Sequence, residues 1–125
     1  MIMTEKGILP IGVEIAGILH REFEIREQLV LDALDLFESA DQGAVARAEE
    51  NKYYYSVAIT ARRIIKLGEI PKEAITLELV LGMHQKDYNE IVLADKRLDV
   101  RRAALTDAPQ QVQGDKTEAT FPEQG

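Results

Sequence analysis

The chain is expected to fold as a small α+β domain, an N-terminal β-hairpin packed on a bundle of three to four helices, with a disordered acidic C-terminal tail. Three observations predict this. Two runs of apolar and polar residues flank Ala16-Gly17 within residues 8–25, the mark of paired strands. From residue 27 to residue 105 the apolar residues recur at steps of three and four, the period of helices. After Leu105 the sequence TDAPQQVQGDKTEATFPEQG keeps only Val112 and Phe121 as sizeable apolar residues, too few to offset its chain entropy. Residues 1–105 therefore read as one domain and residues 106–125 as tail.

The first strand is expected over Ile8–Ile15 and the second over Leu19–Ile25. Paired residues share a face, so the loop length decides which side chains are buried together. A two-residue loop would set Val13 opposite His20 and Ile11 opposite Glu22, splitting the apolar sets. A three-residue loop would pair Ile15 with Leu19, Ile11 with Phe23 and Leu9 with Ile25, and Gly17 would supply the positive φ of a bulged turn. The three-residue loop is the expectation. Pro10 lacks an amide donor and must lie at a ladder edge or outside the pairing.

A first helix is expected over Glu27–Ala40, with Val30, Ala33, Leu34 and Phe37 inward and Asp32, Asp35 and Glu38 solvated. Leu29, Leu31 and Leu36 widen its apolar arc, which implies packing on two sides or an apolar strip offered to a partner. Gly43 to Gly68 reads as the central helix. Its buried face would be Tyr54, Val57, Ala58, Ala61, Ile64 and Ile65, and it would close near Leu67, where Arg62, Arg63 and Lys66 suit the negative dipole end, Gly68 takes a left-handed conformation and Pro71 blocks continuation. Thr76 is expected to cap a short helix carrying Leu77, Val80 and Leu81 that ends at Gly82. Asp87-Tyr-Asn-Glu90 has the form of a capping box, so the last helix starts there or near His84, with Tyr88, Ile91, Val92, Ala94, Leu98 and Leu105 apolar and Asp95 at the flank.

The 125 residues carry a net charge of −7, and 46% are hydrophobic. An acidic surface repels phosphate backbones and anionic lipid heads, which argues against nucleic-acid and membrane partners. No cysteine is present, so thiolate chemistry and disulfides are excluded, and the start lacks a basic segment followed by a long apolar run. A soluble cytoplasmic protein is the expectation.

Catalytic, cofactor and metal sites are all expected to be absent. His20 and His84 are not spaced as a ligand pair. Ser39 and Ser56 lie outside nucleophile motifs, and the glycines are too scattered to cradle phosphate. Asp32, Asp35 and Glu38 resemble a carboxylate cluster, but no apolar pocket stands nearby to shift a catalytic pKa. Three consecutive tyrosines turn by about 100° each on a helix, so at least one of Tyr53, Tyr54 and Tyr55 must face outward. With Leu29 and Leu36 they are the candidate partner-binding residues.

Two blocks, GVEIAGILHREFEIR and ARRIIKLGEIPKEAITLELVLGMHQKDYNEIVLADKRL, resemble the tail assembly chaperones of long-tailed, Mu-like bacteriophages. The resemblance spans most of residues 8–105 and rests on order: a hairpin ending in arginine before a helix, a helix ending at L-G-x-I-P, then I-T-x-E-L-x-x-G and a terminal helix with A-D-x-R-L at Ala94 to Leu98. It implies a non-enzymatic assembly factor of the host cytoplasm that binds the aggregation-prone tape measure protein, keeps it soluble and promotes tail tube assembly around it. The tape measure protein and the tail tube protein would be its partners, with self-association on the same surface. The rival readings are a small tail or connector subunit retained in the virion and an acidic module that binds a basic protein.

Overall fold

The computed structural model describes residues 2–106; the tail expected over 106–125 lies, apart from Thr106, outside them. Its elements are β1 (Thr4–Ile15), β2 (Ile18–Arg26), α1 (Val30–Phe37), α2 (Gln42–Glu50), α3 (Lys52–Arg63), β3 (Ile64–Leu67), a 3-10 turn at Lys72–Ala74, α4 (Leu77–Leu81) and α5 (Gln85–Thr106). The class is α+β, as expected. The hairpin is extended to a three-stranded antiparallel sheet in the order β1-β2-β3, and five helices replace the expected three or four.

The hairpin loop has two residues, not three: Ile15 pairs with Ile18, and Ala16 and Gly17 both take positive φ, 53° and 80°. That is the backbone of a primed two-residue turn, whose twist matches the strands. The face conflict that argued against this loop is resolved farther along. Between the Val13–His20 and Ile8–Glu22 pairs, the four residues Leu9 to Gly12 of β1 stand against the single Arg21 of β2. The excess of three is odd, so it exchanges the faces of everything beyond it. Gly7 now pairs with Phe23 and Glu5 with Ile25, and Leu9, Phe23 and Ile25 are all buried. Pro10 falls in the unpaired stretch, where its missing donor costs no ladder bond.

The bulge is held from both sides. Arg21 Nε donates to the Leu9 carbonyl at 2.9 Å. On the other side, the carboxylate of Asp87 accepts from the Ile11 amide at 2.9 Å and the Gly12 amide at 3.0 Å. Asp87 is fully buried, so its part is to bind the bulge rather than to close the expected capping box. His84 caps α5 instead, its Nδ1 accepting from the Lys86 amide at 3.1 Å. Gly12 has φ 103°, and a Cβ there would lie 2.7 Å from Arg21 Cγ, so the position requires glycine.

The central segment differs most from expectation. Asn51, at φ −135° and ψ 109°, breaks it into α2 and α3, and its side chain caps α3 by accepting from the amides of Tyr53 and Tyr54 at 2.9 and 3.1 Å. Helix α3 then stops at Arg63 rather than Leu67. Ile64–Leu67 runs straight into an edge strand, with Ile64 paired to Ile25 and Leu67 to Phe23. Two β-branched residues lose little in leaving a helix, and the open edge of β2 supplies the hydrogen bonds they give up. Gly68 takes φ 55°, as expected, but at the end of a strand.

The main core lies between the sheet, α3 and α5, and includes Leu9, Phe23, Ile25, Val57, Ile64, Leu67, Ile91 and Leu98. A smaller cluster, Leu36, Ala48, Ala58 and Ile59, lies under α1 and α2. Helix α4 matches its expected form: Thr76 Oγ1 accepts from the Leu79 amide at 3.2 Å and Gly82 is the C-cap. Ion pairs fasten α5 along the start of the chain, from Arg97 and Arg101 to Glu5 at 2.8 and 2.6 Å and from Arg102 to Glu27 at 2.7 Å.

Removing the Asp87 carboxylate would leave two part-buried amides without acceptors, a cost of about 1–3 kcal/mol each at full burial. Asp87→Ala is therefore expected to destabilise the fold by roughly 3 kcal/mol, and Asp87→Asn, which keeps one acceptor, by about half of that. Urea unfolding followed by circular dichroism measures both.

Candidate protein-binding surface

The chemistry of this surface begins at the end of β2. Arg26 reaches under α1 and donates to both carboxylate oxygens of Asp32, at 2.6 and 3.0 Å. The same guanidinium donates to the carbonyls of Glu27 at 2.8 Å and Arg62 at 3.2 Å. Asp32 also accepts from the Leu29 amide at 2.8 Å, so it serves as ion-pair partner and as cap of the helix start. Its side chain is only 2% exposed. Burial pushes the Asp32 carboxyl up, but the Arg26 and Leu29 hydrogen bonds and the charges of Arg26 and Arg63 outweigh it and hold the pKa below the ordinary value.

This corrects the expected orientation of α1. Asp32 was placed on the solvated face with Asp35 and Glu38, and Val30, Ala33, Leu34 and Phe37 inward. The structure buries Asp32 and Leu36 and turns Val30, Leu31, Leu34 and Phe37 outward, with 90, 52, 51 and 42% of their surface exposed. Positions 30, 31, 34 and 37 share one face of a helix, so the four side chains form one strip. An ion pair with Arg26 needs Asp32 inside, and a rigid helix then presents its opposite side to solvent.

The partner-binding candidates divide accordingly. Leu36 is 1% exposed and packs with Ala48, Ala58 and Ile59, so it is core and has no surface to offer a partner. Leu29 is half-buried at the α1 cap. Tyr53 is 60% exposed, edge-on to Tyr88 at 6.3 Å between ring centroids. Tyr54 is partly buried beneath the Arg47 guanidinium, 5.5 Å from its ring. Tyr55, also partly buried, stacks on Phe37 with centroids 6.0 Å apart and prolongs the α1 strip onto α3. Val30, Leu34 and Phe37, expected inward, join Leu31 on the exposed strip. The signal that could have found them was Arg26 itself, a cation at a strand end six residues before an aspartate.

Arg63, 5% exposed, braces the junction: its Nε donates to the Arg26 carbonyl at 3.0 Å and its Nη2 to Asp95 of α5 at 2.5 Å. Asp95 is thus paired at the flank of the α5 stripe, its side chain 35% exposed. His20 is buried, with Nδ1 accepting from the Glu69 amide at 3.0 Å, and has a structural role. Among the described residues, no group of three or more histidines, cysteines and carboxylates could hold a metal ion. No described helix is long and apolar enough to cross a membrane.

Three carboxylates are held below their ordinary pKa by arginines: Asp32 by Arg26, Glu5 by Arg97 and Arg101, and Glu27 by Arg102 and the Met3 amide, the last from 4.5 to about 2. Such groups stabilise the fold above their ordinary pKa, and that stabilisation is lost as pH falls through the folded values. Stability is expected to drop as pH falls from about 4.5 to about 2, read as the urea midpoint at several pH values. Asp32→Ala leaves the Arg26 charge unpaired in a mostly buried site; it is expected to cost about 3 kcal/mol at pH 7 and to flatten the acid limb of that profile.

Comparison with family models, curated proteins and solved structures returned no match to this chain.

Proposed function

We propose that this protein is a tail assembly chaperone of a long-tailed bacteriophage, acting in the host cytoplasm to hold the tape measure protein soluble while tail tube subunits assemble around it. The observation that carries the reading is the outward strip Val30, Leu31, Leu34 and Phe37, continued by Tyr55. A monomeric domain gains nothing from exposing four large apolar side chains on one helix, whereas a holdase needs such a strip. An amphipathic client helix laid along α1 would bury the strip by helix-to-helix packing. The strip is built on a helix locked by Arg26 and Asp32, so it is presented without prior rearrangement. The resemblance to the chaperone family supplies the nature of the client, and the acidic net charge keeps the free protein dispersed while the strip is open.

Apolar contact also sets the salt response. Exposed charge contacts are screened at high ionic strength, but apolar burial is not weakened. A client held on α1 should therefore stay bound through high salt, which separates this reading from an acidic module that captures basic proteins.

The test is co-expression with the tape measure protein encoded by the same phage, scoring soluble client and co-purification in high salt. The wild-type chain is expected to raise soluble client. Leu31→Glu and Leu34→Glu, both on exposed positions, are each expected to weaken the complex about tenfold, equivalent to about 1.4 kcal/mol, with the urea midpoint little changed. A client that stays insoluble with the wild-type chain, or that tolerates both substitutions, would refute the proposal, and recovery of the protein in assembled particles would replace it with a structural role.

A further inference from the structure

Helix α5 packs through Tyr88, Ile91, Ala94 and Leu98, which leaves its other side to solvent. Lys86, Asn89, Leu93, Lys96 and Val100 recur there at steps of three and four, with Arg97 beside them, and all six are exposed. Leu93 and Val100 are the large apolar members, 49 and 69% exposed. A shallow groove of about 490 Å³ follows them, lined also by Lys96, Arg97, Arg101 and Glu5.

The charge on this face is one-sided. In a chain of net charge −7, none of the six residues is acidic. Glu5 of β1 is taken up by Arg97 and Arg101, at 2.8 and 2.6 Å, and Glu90 reaches Arg97 at 3.7 Å. Lys86 and Lys96 meet no carboxylate within 4.0 Å among the described residues. Lys96 stands three positions after Leu93 and four before Val100, so an uncompensated cation sits in the middle of the apolar span.

The outer strip of α1 has the opposite character. Asp35 lies one turn beyond Leu31 and Glu38 one turn beyond Leu34, so both rim the strip. Both are exposed, and neither meets a cation within 4.0 Å among the described residues. The apolar spans also match: Val30 to Phe37 and Leu93 to Val100 are each seven steps, about 10.5 Å of helix. Both faces are open in the same structure, so within one chain they do not cover each other. A second copy brings them together.

We propose that copies of this chain associate through unlike faces, α1 of one on α5 of the other. Val30, Leu31, Leu34 and Phe37 lie along Leu93 and Val100, with Asp35 and Glu38 toward Lys86 and Lys96. A single contact of this kind is heterologous and leaves one α1 strip of the pair open. Repulsion between copies of charge −7 opposes further growth. One helix face laid on another buries less than the roughly 800 Å² per partner of a standard interface, so the association is weak and depends on concentration. The inference concerns the chain alone and does not rest on the chaperone reading.

The test uses the purified full chain without a client. Its mass in sedimentation equilibrium is expected to rise with protein concentration. Lys86→Glu with Lys96→Glu, or Asp35→Lys with Glu38→Lys, should weaken the association about tenfold, and the chain carrying all four changes should recover it, because the charges are then exchanged rather than lost. The absence of cysteine allows a direct check of the contact. Mixed Leu34→Cys and Val100→Cys chains treated with a short bis-maleimide are expected to link to each other, and neither variant to itself. If the four changes together shift the urea midpoint, the linkage alone decides. The inference is overturned by a mass that stays monomeric at every concentration, as when the acidic C-terminal segment of the same chain covers α5. It is equally overturned if either variant links to itself as well as to the other, or if a stably folded chain with all four changes fails to recover.

Discussion

The guanidinium of Arg26 is the point at which the sheet, α1 and α3 meet. It closes β2, spans the gap to Asp32 and donates to the Arg62 carbonyl at the end of α3, while Arg63 donates back to the Arg26 carbonyl and carries the network on to Asp95 of α5. A buried pair of this kind contributes little net stability, because desolvation offsets most of the attraction. Its effect is on choice. With apolar residues around most of its circumference, α1 could pack on either of two faces at similar cost, and the fixed position of the Asp32 carboxylate removes all but one. The face left outside is the one that carries Val30, Leu31, Leu34 and Phe37.

The parts legible in the sequence were those decided by neighbours along the chain. Helix α4 was readable from Thr76 and Gly82, and the buried face of α5 from the spacing of Tyr88, Ile91, Ala94 and Leu98, all of which are buried. The parts that were not legible depend on distant residues. Ile64 and Ile65 continue a helical pattern faultlessly, and only the unpaired edge of β2 makes them strand. The loop of two residues looked wrong because the compensating bulge at Leu9 to Gly12 is stabilised by Asp87, some 75 residues away. The break at Asn51 is a local signal, an asparagine capping the tyrosines of the first turn of α3, which the helical spacing running through residues 43–68 conceals. Of the candidate surface, the exposure of Tyr53 follows from three consecutive tyrosines on one helix, but Leu36 is not recognisable as core until the direction of Asp32 is known.

Charge is used in two ways in this small protein. Five arginines, Arg26, Arg63, Arg97, Arg101 and Arg102, are drawn inward or along α5, where they pair with carboxylates of other segments, and the acids left over give the exterior its sign. Arginine suits this part better than lysine, since its planar fork bonds to several acceptors at once, as Arg26 and Arg101 do. The result is an acidic coat over an apolar strip, with these five cations engaged in holding the elements of the fold together.

The outer edge of β1 has one more consequence. An edge strand is a template on which another chain can extend the sheet, a route to aggregation. Here four of the groups that a new strand would need are occupied by side chains of α5: the amides of Ile11 and Gly12 bind Asp87, the carbonyl of Thr4 binds Arg101 and that of Lys6 faces Arg97 at 3.4 Å. Pro10, in the middle, has no amide to offer. The opposite edge, β3, is four residues long. The contacts that seat the longest helix thus also cover part of the longer sheet edge, and a strand approaching it would have to displace Asp87 and Arg101 before it could pair.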